Sequence, residues 1–310
     1  MTSSSTPNGD TATKVGFVGL GTMGEPMSAN IAKAGFDLRV YDEDAGRAHA
    51  VAGRIGASAL DDAAELAECD VIVLMLPTSK IVRSVLVDDG DAEPKLRLPL
   101  HPGTVVVDMS SSNPQDTLAT GEVLSAAGVH LVDAPVSGAK ERALTGTLAI
   151  MLGGNDDAAI ARATPVIDAM SAQIYRTGAL GTGHAMKALN NFVAAAAYTA
   201  ASEALISGER FGLDRQTMVD IFNNSTGQSF VTLNVLGPHI VDGEFASGFA
   251  LPLMTKDVKI AQAVQEAAEH EAPVCAAVVG ALDDALTELG NVDHTEAYNW
   301  LIAIEGVGVV

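Results

Sequence analysis

The sequence predicts an α/β fold: an N-terminal Rossmann-type, doubly wound parallel sheet followed by an all-α C-terminal domain. Three observations carry this. Short apolar runs alternate with alanine-rich helical patterns through the first half of the chain. A glycine loop, Gly19-Leu20-Gly21-Thr22-Met23-Gly24, follows the first apolar run directly. After Gly183 the strand-like runs stop and long helical patterns take over. Strand–helix alternation is the signature of a parallel sheet wound on both faces, because each parallel crossover needs a covering helix.

In chain order the candidate strands are residues 15–19, 38–41, 71–76, 104–108, 131–134, 148–152 and 174–176, with helical spacing between them at 25–34, 63–67 and 114–127. The second half reads as helices over 185–211, 215–223, 254–271 and 273–290. Pro273 suits the first position of its helix, where no backbone N–H is needed. Gly178, Gly181 and Gly183 punctuate the chain between the halves and are read as an inter-domain turn, since no partner strand or ribose acid accompanies them. The expected organisation is a disordered tail over 1–12, a cofactor-binding domain over 13–180 and a helical substrate and dimerisation domain over 181–310.

Apolar residues make up 48% of the 310 and charged residues 18%, enough for two cores. The polar tail has no signal-peptide core and no apolar run is long enough to span a bilayer, so a cytoplasmic protein without membrane attachment is expected. Thirty-nine acidic against 18 basic residues give a net charge of −21, which repels nucleic-acid backbones and leaves an anionic substrate in need of a local positive site. Cys69 and Cys275 are isolated and the histidines are scattered, so neither a disulfide framework nor a metal is expected. The alanine-rich stretch 192–207 has two faces to bury, which points to a homodimer or homotetramer.

The glycine loop carries the first chemistry. Gly19 permits the tight turn, Gly21 lets a pyrophosphate approach the backbone, and Gly24 lets helix and sheet pack closely. The helix start behind it attracts phosphate through its free N–H groups and dipole. The next strand ends in Asp42-Glu43-Asp44, and a carboxylate about 20 residues past the loop accepts hydrogen bonds from an adenosine ribose. A 2′-phosphate would meet three acids there with no compensating arginine at the strand tip. NAD is therefore expected over NADP.

Further motifs follow in order: Asp133-Ala134-Pro135-Val136-Ser137-Gly138, Gly146-Thr147-Leu148, Gly181-x-Gly183-x-x-x-Lys187-x-x-x-Asn191, and Lys256-Asp257. With the glycine loop they make the chain resemble the β-hydroxyacid dehydrogenase family from Val15 nearly to the C-terminus. The resemblance implies hydride transfer between NAD and a short β-hydroxy acid, a small carboxylate partner, with Lys187 as general acid/base. A free lysine, titrating near about 10.4, is a poor base at neutral pH; burial and a helix N-terminus both favour its neutral form. Asn191, four residues on, shares its helix face and is expected beside the substrate. Ser137 and Gly138 follow a strand and offer a hydroxyl and backbone N–H groups to the substrate carboxylate. Leu76, Pro77 and Ser111 match positions lining the nicotinamide side, and Lys256 matches a lysine that reaches the cofactor.

The chain departs from the family pattern at Ala139 and Arg142, where glycines are usual, and at Ile81, where an asparagine is frequent. Lys140 and Arg142 beside the carboxylate grip suggest a reading of a second polar or anionic substrate group; a solvated loop is the default for such charges. Two other functions compete. An imine reductase on the same fold would lack Lys187, and a catalytically silent scaffold would have no use for Lys187, Asn191 and Ser137 together.

Overall fold

The structure is a computed structural model that describes residues 13–90 and 93–305. The tail expected over 1–12 lies outside the described residues. The chain divides into two compact units, one up to Lys187 and one from Ala188.

In the first unit β1 (Lys14–Val18) leads through the glycine loop into α1 (Gly24–Lys33), then β2 (Asp37–Tyr41), α2 (Ala45–Ile55) and β3 (Ser58–Ala59). The chain returns to the other side of β1 as β4 (Val71–Leu74), followed by α3 (Ser79–Leu86), a small hairpin β5 (Val87–Asp88) and β6 (Lys95–Leu96), then β7 (Val105–Asp108), α4 (Pro114–Ala126) and β8 (His130–Asp133). After β9 (Val136–Ser137), α5 (Ala139–Thr145), β10 (Leu148–Gly153), α6 (Asp157–Asp168) and β11 (Ser171–Gly178) complete the sheet. Strand order is β3-β2-β1-β4-β7-β8-β10-β11, with β9 paired to β10. Strands β4 and β7 are buried at every residue, as strands covered on both faces must be. Clusters built on Phe17, Met27 and Ile31 on one face and on Leu66, Ile72 and Leu124 on the other form the two core layers.

Three local expectations change in the structure. Residues 63–67, expected as a helix, form the 3₁₀ turn Ala63–Glu68: Asp62 and Glu65 make a reciprocal capping box at its start, and β4 begins too soon for a longer helix. The charged stretch at Lys140 and Arg142 is not a loop but part of α5, whose Ala143 is fully buried and whose carbonyl accepts from Asn30 Nδ2 at 2.7 Å. The sheet is also not wholly parallel. β10 meets β8 antiparallel through Gly153 and Asp133, because β9 folds back on β10, Ser137 facing Ala149, where a covering crossover helix would have been needed for a parallel return.

α7 (Thr182–Phe211) runs through the division between the units. The second unit continues with α8 (Arg215–Asn223), a π-helical stretch Thr232–Val241, α9 (Leu251–Ala267), α10 (Pro273–Leu289) and α11 (Ala297–Glu305). Pro273 stands in the first turn of α10. The core of this unit gathers around Tyr198, Tyr298 and Trp300, with the Tyr198 hydroxyl donating to the Thr295 carbonyl at 3.1 Å. No helix among the described residues is long and apolar enough to cross a membrane.

Candidate active site

The carboxyl ends of β1, β4, β7 and β8 lie level, since Val18 pairs Leu74, Leu74 pairs Asp108, and Asp108 pairs Asp133. Ligands of open α/β sheets bind at this edge, where the chain reverses its direction of travel across the sheet, here between β1 and β4. Most of the sequence-predicted residues of the first unit gather there: Gly19–Gly24 after β1, Asp42 after β2, Leu76 and Pro77 after β4, Ser111 after β7, Ser137 and Gly138 after β8.

The glycine loop fits a dinucleotide. Gly19 has φ +93, and a Cβ there would run into the Met75 carbonyl. A Cβ on Gly24 would overlap the Gly19 carbonyl. Gly21 is exposed, and no atom beyond its chain neighbours lies within 4 Å of where its Cβ would stand. Two glycines thus close the turn and the third leaves room beside the backbone, the shape a pyrophosphate needs.

Asp42 is buried at 6% exposure and anchors the loop beside it. Its Oδ2 accepts from Leu20 N at 2.8 Å, which ties the glycine loop to the end of β2, and its Oδ1 accepts from Asp44 N at 3.0 Å. The strand tip also has an arginine that the sequence reading did not place there. Arg47, in the first turn of α2, sits 3.2 Å from Asp42 Oδ1 and 3.8 Å from Asp44 Oδ2.

Asp108 builds the turn that carries Ser111. It accepts from Ser110 N at 3.0 Å and Ser112 Oγ at 2.7 Å, and Ser110 Oγ in turn accepts from Leu76 N at 2.9 Å. One buried carboxylate therefore fixes both the Leu76–Pro77 and the Ser111 segments. Ser137, half-buried, makes no side-chain hydrogen bond among the described residues, leaving its hydroxyl available.

Lys187 is half-buried in the second turn of α7. The start of that helix is pinned by Asp133, whose Oδ1 accepts from Gly181 N at 2.9 Å and whose Oδ2 accepts from His184 N at 2.8 Å. A carboxylate at a helix N-terminus is favoured both by the free N–H groups and by the dipole. The approach is close enough that a Cβ on Gly183 would stand 2.8 Å from Asp133 Oδ2. Gly183 is therefore a packing residue within the first unit, while Gly178 (φ +131) and Gly181 (φ +88) make the turn. His184 is buried, with Nδ1 2.8 Å from Thr117 Oγ1 and Nε2 3.7 Å from Asp108 Oδ2, beyond hydrogen-bonding range.

Asp108, Asp133, Thr117 and His184 were missed as a group by sequence reasoning. The available signal was two apolar strands, 105–107 and 131–132, each ending in an aspartate. Loss of this pin is expected to be costly. Asp133→Ala leaves two N–H groups without their acceptor, at about 1–3 kcal/mol each, so chemical denaturation should show stability lowered by about 2–6 kcal/mol. A change below about 1 kcal/mol would mean that the helix start does not depend on this carboxylate.

In the second unit Asn191 Nδ2 donates to Asp257 Oδ2 at 2.6 Å, and its Oδ1 accepts from Asn190 at 3.2 Å. Lys256 Nζ lies 3.3 Å from Asp257 Oδ1, so the two second-unit candidates share one acidic neighbour. Both cysteines are buried; burial pushes the Cys69 thiol up to about 11 and raises that of Cys275, so neither supplies a thiolate at neutral pH.

Residues 14–178 match the family described as the NAD binding domain of 6-phosphogluconate dehydrogenase, and residues 181–301 match that described as NAD-binding of NADP-dependent 3-hydroxyisobutyrate dehydrogenase. The chain is 36% identical to the 2-(hydroxymethyl)glutarate dehydrogenase of Eubacterium barkeri over 80% of its own length and 81% of that protein's. It is 35% identical to a probable 3-hydroxyisobutyrate dehydrogenase of Mycobacterium tuberculosis, over 84% of this chain and 88% of that one. Among solved structures, the M. tuberculosis 3-hydroxyisobutyrate dehydrogenase with L-serine superposes with a TM-score of 0.83 at 31% identity, covering 94% of this chain and 99% of that one. An imine reductase from Pseudomonas sp., at 17% identity and a TM-score of 0.59 over 94% of this chain and 100% of that one, shares the fold alone.

Proposed function

This chain belongs to the β-hydroxyacid dehydrogenase family, a nicotinamide-dependent oxidoreductase of hydroxy acids, and from that premise we propose that it reversibly oxidises the hydroxyl of a short β-hydroxy acid with Lys187 as general acid/base. The observation that carries the reading is the pin of α7 by Asp133: it sets the helix bearing Lys187 on the sheet edge where the glycine cradle and Ser137 also stand.

A bound nicotinamide supplies the hydride acceptor. Gly19 to Gly24 and Asp42 hold the dinucleotide, and Leu76, Pro77 and Ser111 line its nicotinamide side. Ser137 Oγ and the Gly138 backbone receive the substrate carboxylate. Lys187 Nζ, in its neutral form, takes the hydroxyl proton during oxidation and returns it during reduction. Asn191 stays our proposal for a substrate ligand one turn past Lys187, with one amide N–H beyond that given to Asp257, and Lys256 for a cofactor ligand.

We assign the boundary between the cofactor-binding and helical domains to 180/181, the homodimer or homotetramer to the alanine-rich face of α7, where Val193 stands 64% exposed, and the location to the cytoplasm. The test of function is NADH formation with 3-hydroxyisobutyrate, L-serine, glycerate and 2-(hydroxymethyl)glutarate, with a cyclic imine as the opposing arm. Turnover of a hydroxy acid is expected. Imine reduction without hydroxy-acid turnover would replace this reading.

The cofactor preference is expected to favour NAD over NADP by at least about tenfold in kcat/KM, or about 1.4 kcal/mol. Arg47 offers a 2′-phosphate some attraction, but Asp42 and Asp44 already engage it and Glu43 stands beside them. Equal efficiencies with the two cofactors would assign Arg47, not Asp42, the deciding role.

A further inference from the structure

We propose that Arg142 is a specificity-determining residue, selecting hydroxy acids that carry a second, distal anionic group. The proposal rests on the reading of Ser137 and Gly138 as the seat of the first carboxylate.

The chain has ten arginines against 39 acidic residues, and the use of each guanidinium is informative. Arg39 pairs with Glu68, Arg54 with Glu25, Arg83 with Asp89 and Arg215 with Glu209, and the other described arginines are engaged as well. Among the described residues only the Arg142 guanidinium has no hydrogen bond or ion pair. In a molecule of net charge −21 acidic partners are plentiful, and the Arg142 guanidinium, exposed and outside those pairs, is left available to an anionic ligand.

Its place is defined. A Cβ on Gly138 would stand 2.5 Å from Arg142 Cδ and 2.7 Å from its Cβ, so the arginine stem lies directly across Gly138. The guanidinium begins at the next atom. Gly138 (φ +134) and Ala139 (φ +54) turn the chain back on itself to bring this about, and Ala139 does so in a left-handed conformation that a side chain disfavours. α5 is held in place by buried Ala143, by Asn30 Nδ2 on the Ala143 carbonyl, and by Gly146, which ends the helix at φ +65. The cation therefore stands on an anchored turn beside the proposed carboxylate seat, not on a free loop.

A dianionic substrate is repelled by the acidic background more than a monoanion is, so preference for one needs a local cation. A guanidinium offers a planar fork that meets a carboxylate with two parallel hydrogen bonds.

The experiment compares 2-(hydroxymethyl)glutarate with 2-(hydroxymethyl)pentanoate, which share a chain length and differ in the distal carboxylate. Wild type should prefer the diacid by about tenfold or more in kcat/KM, and Arg142→Gln should lower that ratio by about tenfold. Arg142→Lys should keep part of the preference. Lys140→Gln, which removes a neighbouring charge from the same helix, should leave the ratio in place. Added salt should erode the wild-type ratio, a readout that requires no variant. An unchanged ratio in Arg142→Gln, a salt-independent ratio, or a weakened NAD affinity in place of an altered ratio overturns the assignment. Wild-type turnover of the mono-acid tests the active-site reading separately: with it present, an unchanged ratio removes the role of Arg142 alone, and with neither acid turned over both are removed.

Discussion

Lys187→Ala is expected to lower kcat by about 10²–10⁴-fold, the range that a positioned acid/base group contributes. Affinity for NAD should stay nearly unchanged, because the proposed dinucleotide seat, the glycine loop and Asp42, is built at the ends of β1 and β2. Alanine is the best helix former, so α7 should persist and the loss be chemical, not structural. Lys187→Arg should restore little: arginine keeps the charge but does not release its proton at working pH. The sign of the pH dependence follows from the direction of reaction. Oxidation requires the neutral amine, so its rate should rise with pH as Lys187 loses its proton, and reduction should show the opposite slope. Both slopes should vanish in the alanine variant. Retention of most activity by Lys187→Ala on the best substrate would remove the lysine from the acid/base role.

What was legible in the sequence was local. Gly19 to Gly24 could be placed because a turn, a close helix–strand approach and a phosphate cradle each demand glycine within six consecutive residues. The apolar strands at 71–74 and 105–108 could be placed because strands covered on both faces read as unbroken apolar runs. What escaped was set by contacts between distant residues. Asp133 meets Gly181 and His184 across 48 and 51 positions, and nothing in the local pattern of either segment announces the other. The reversal at β10 likewise depends on β9 pairing, a two-residue strand too short to show a period. Arg47 is a different case. Asp44 caps α2 and accepts from Arg47 N at 3.1 Å, so the first turn of that helix brings the arginine back to Asp42. A reading of the helix cap would have found it.

The glycine cradle itself separates into a folding part and a binding part, and a pair of substitutions should resolve them. Gly24 is buried, and a methyl there would overlap the Gly19 carbonyl and approach Phe17 Cε1 to 3.2 Å. The obstacle is backbone and a fully buried ring, neither of which can swing aside. Overpacking of this kind costs about 1–3 kcal/mol and more where nothing yields, so Gly24→Ala should lower the thermal midpoint by about 6 °C or more. Gly21 has open space around its Cβ position and a φ outside the left-handed range. Gly21→Ala should leave stability within about 1 kcal/mol of wild type, since alanine fits that backbone and reduces the freedom of the unfolded chain. Its methyl would instead enter the open space beside the loop, where the pyrophosphate is proposed to lie. NAD affinity, read by titration calorimetry, should fall about 10–100-fold, or about 1.4–2.8 kcal/mol. Wild-type affinity in a stable Gly21→Ala protein would place the dinucleotide phosphates elsewhere. Loss of stability in Gly21→Ala equal to that in Gly24→Ala would mean that the space at Gly21 serves the fold and not the cofactor.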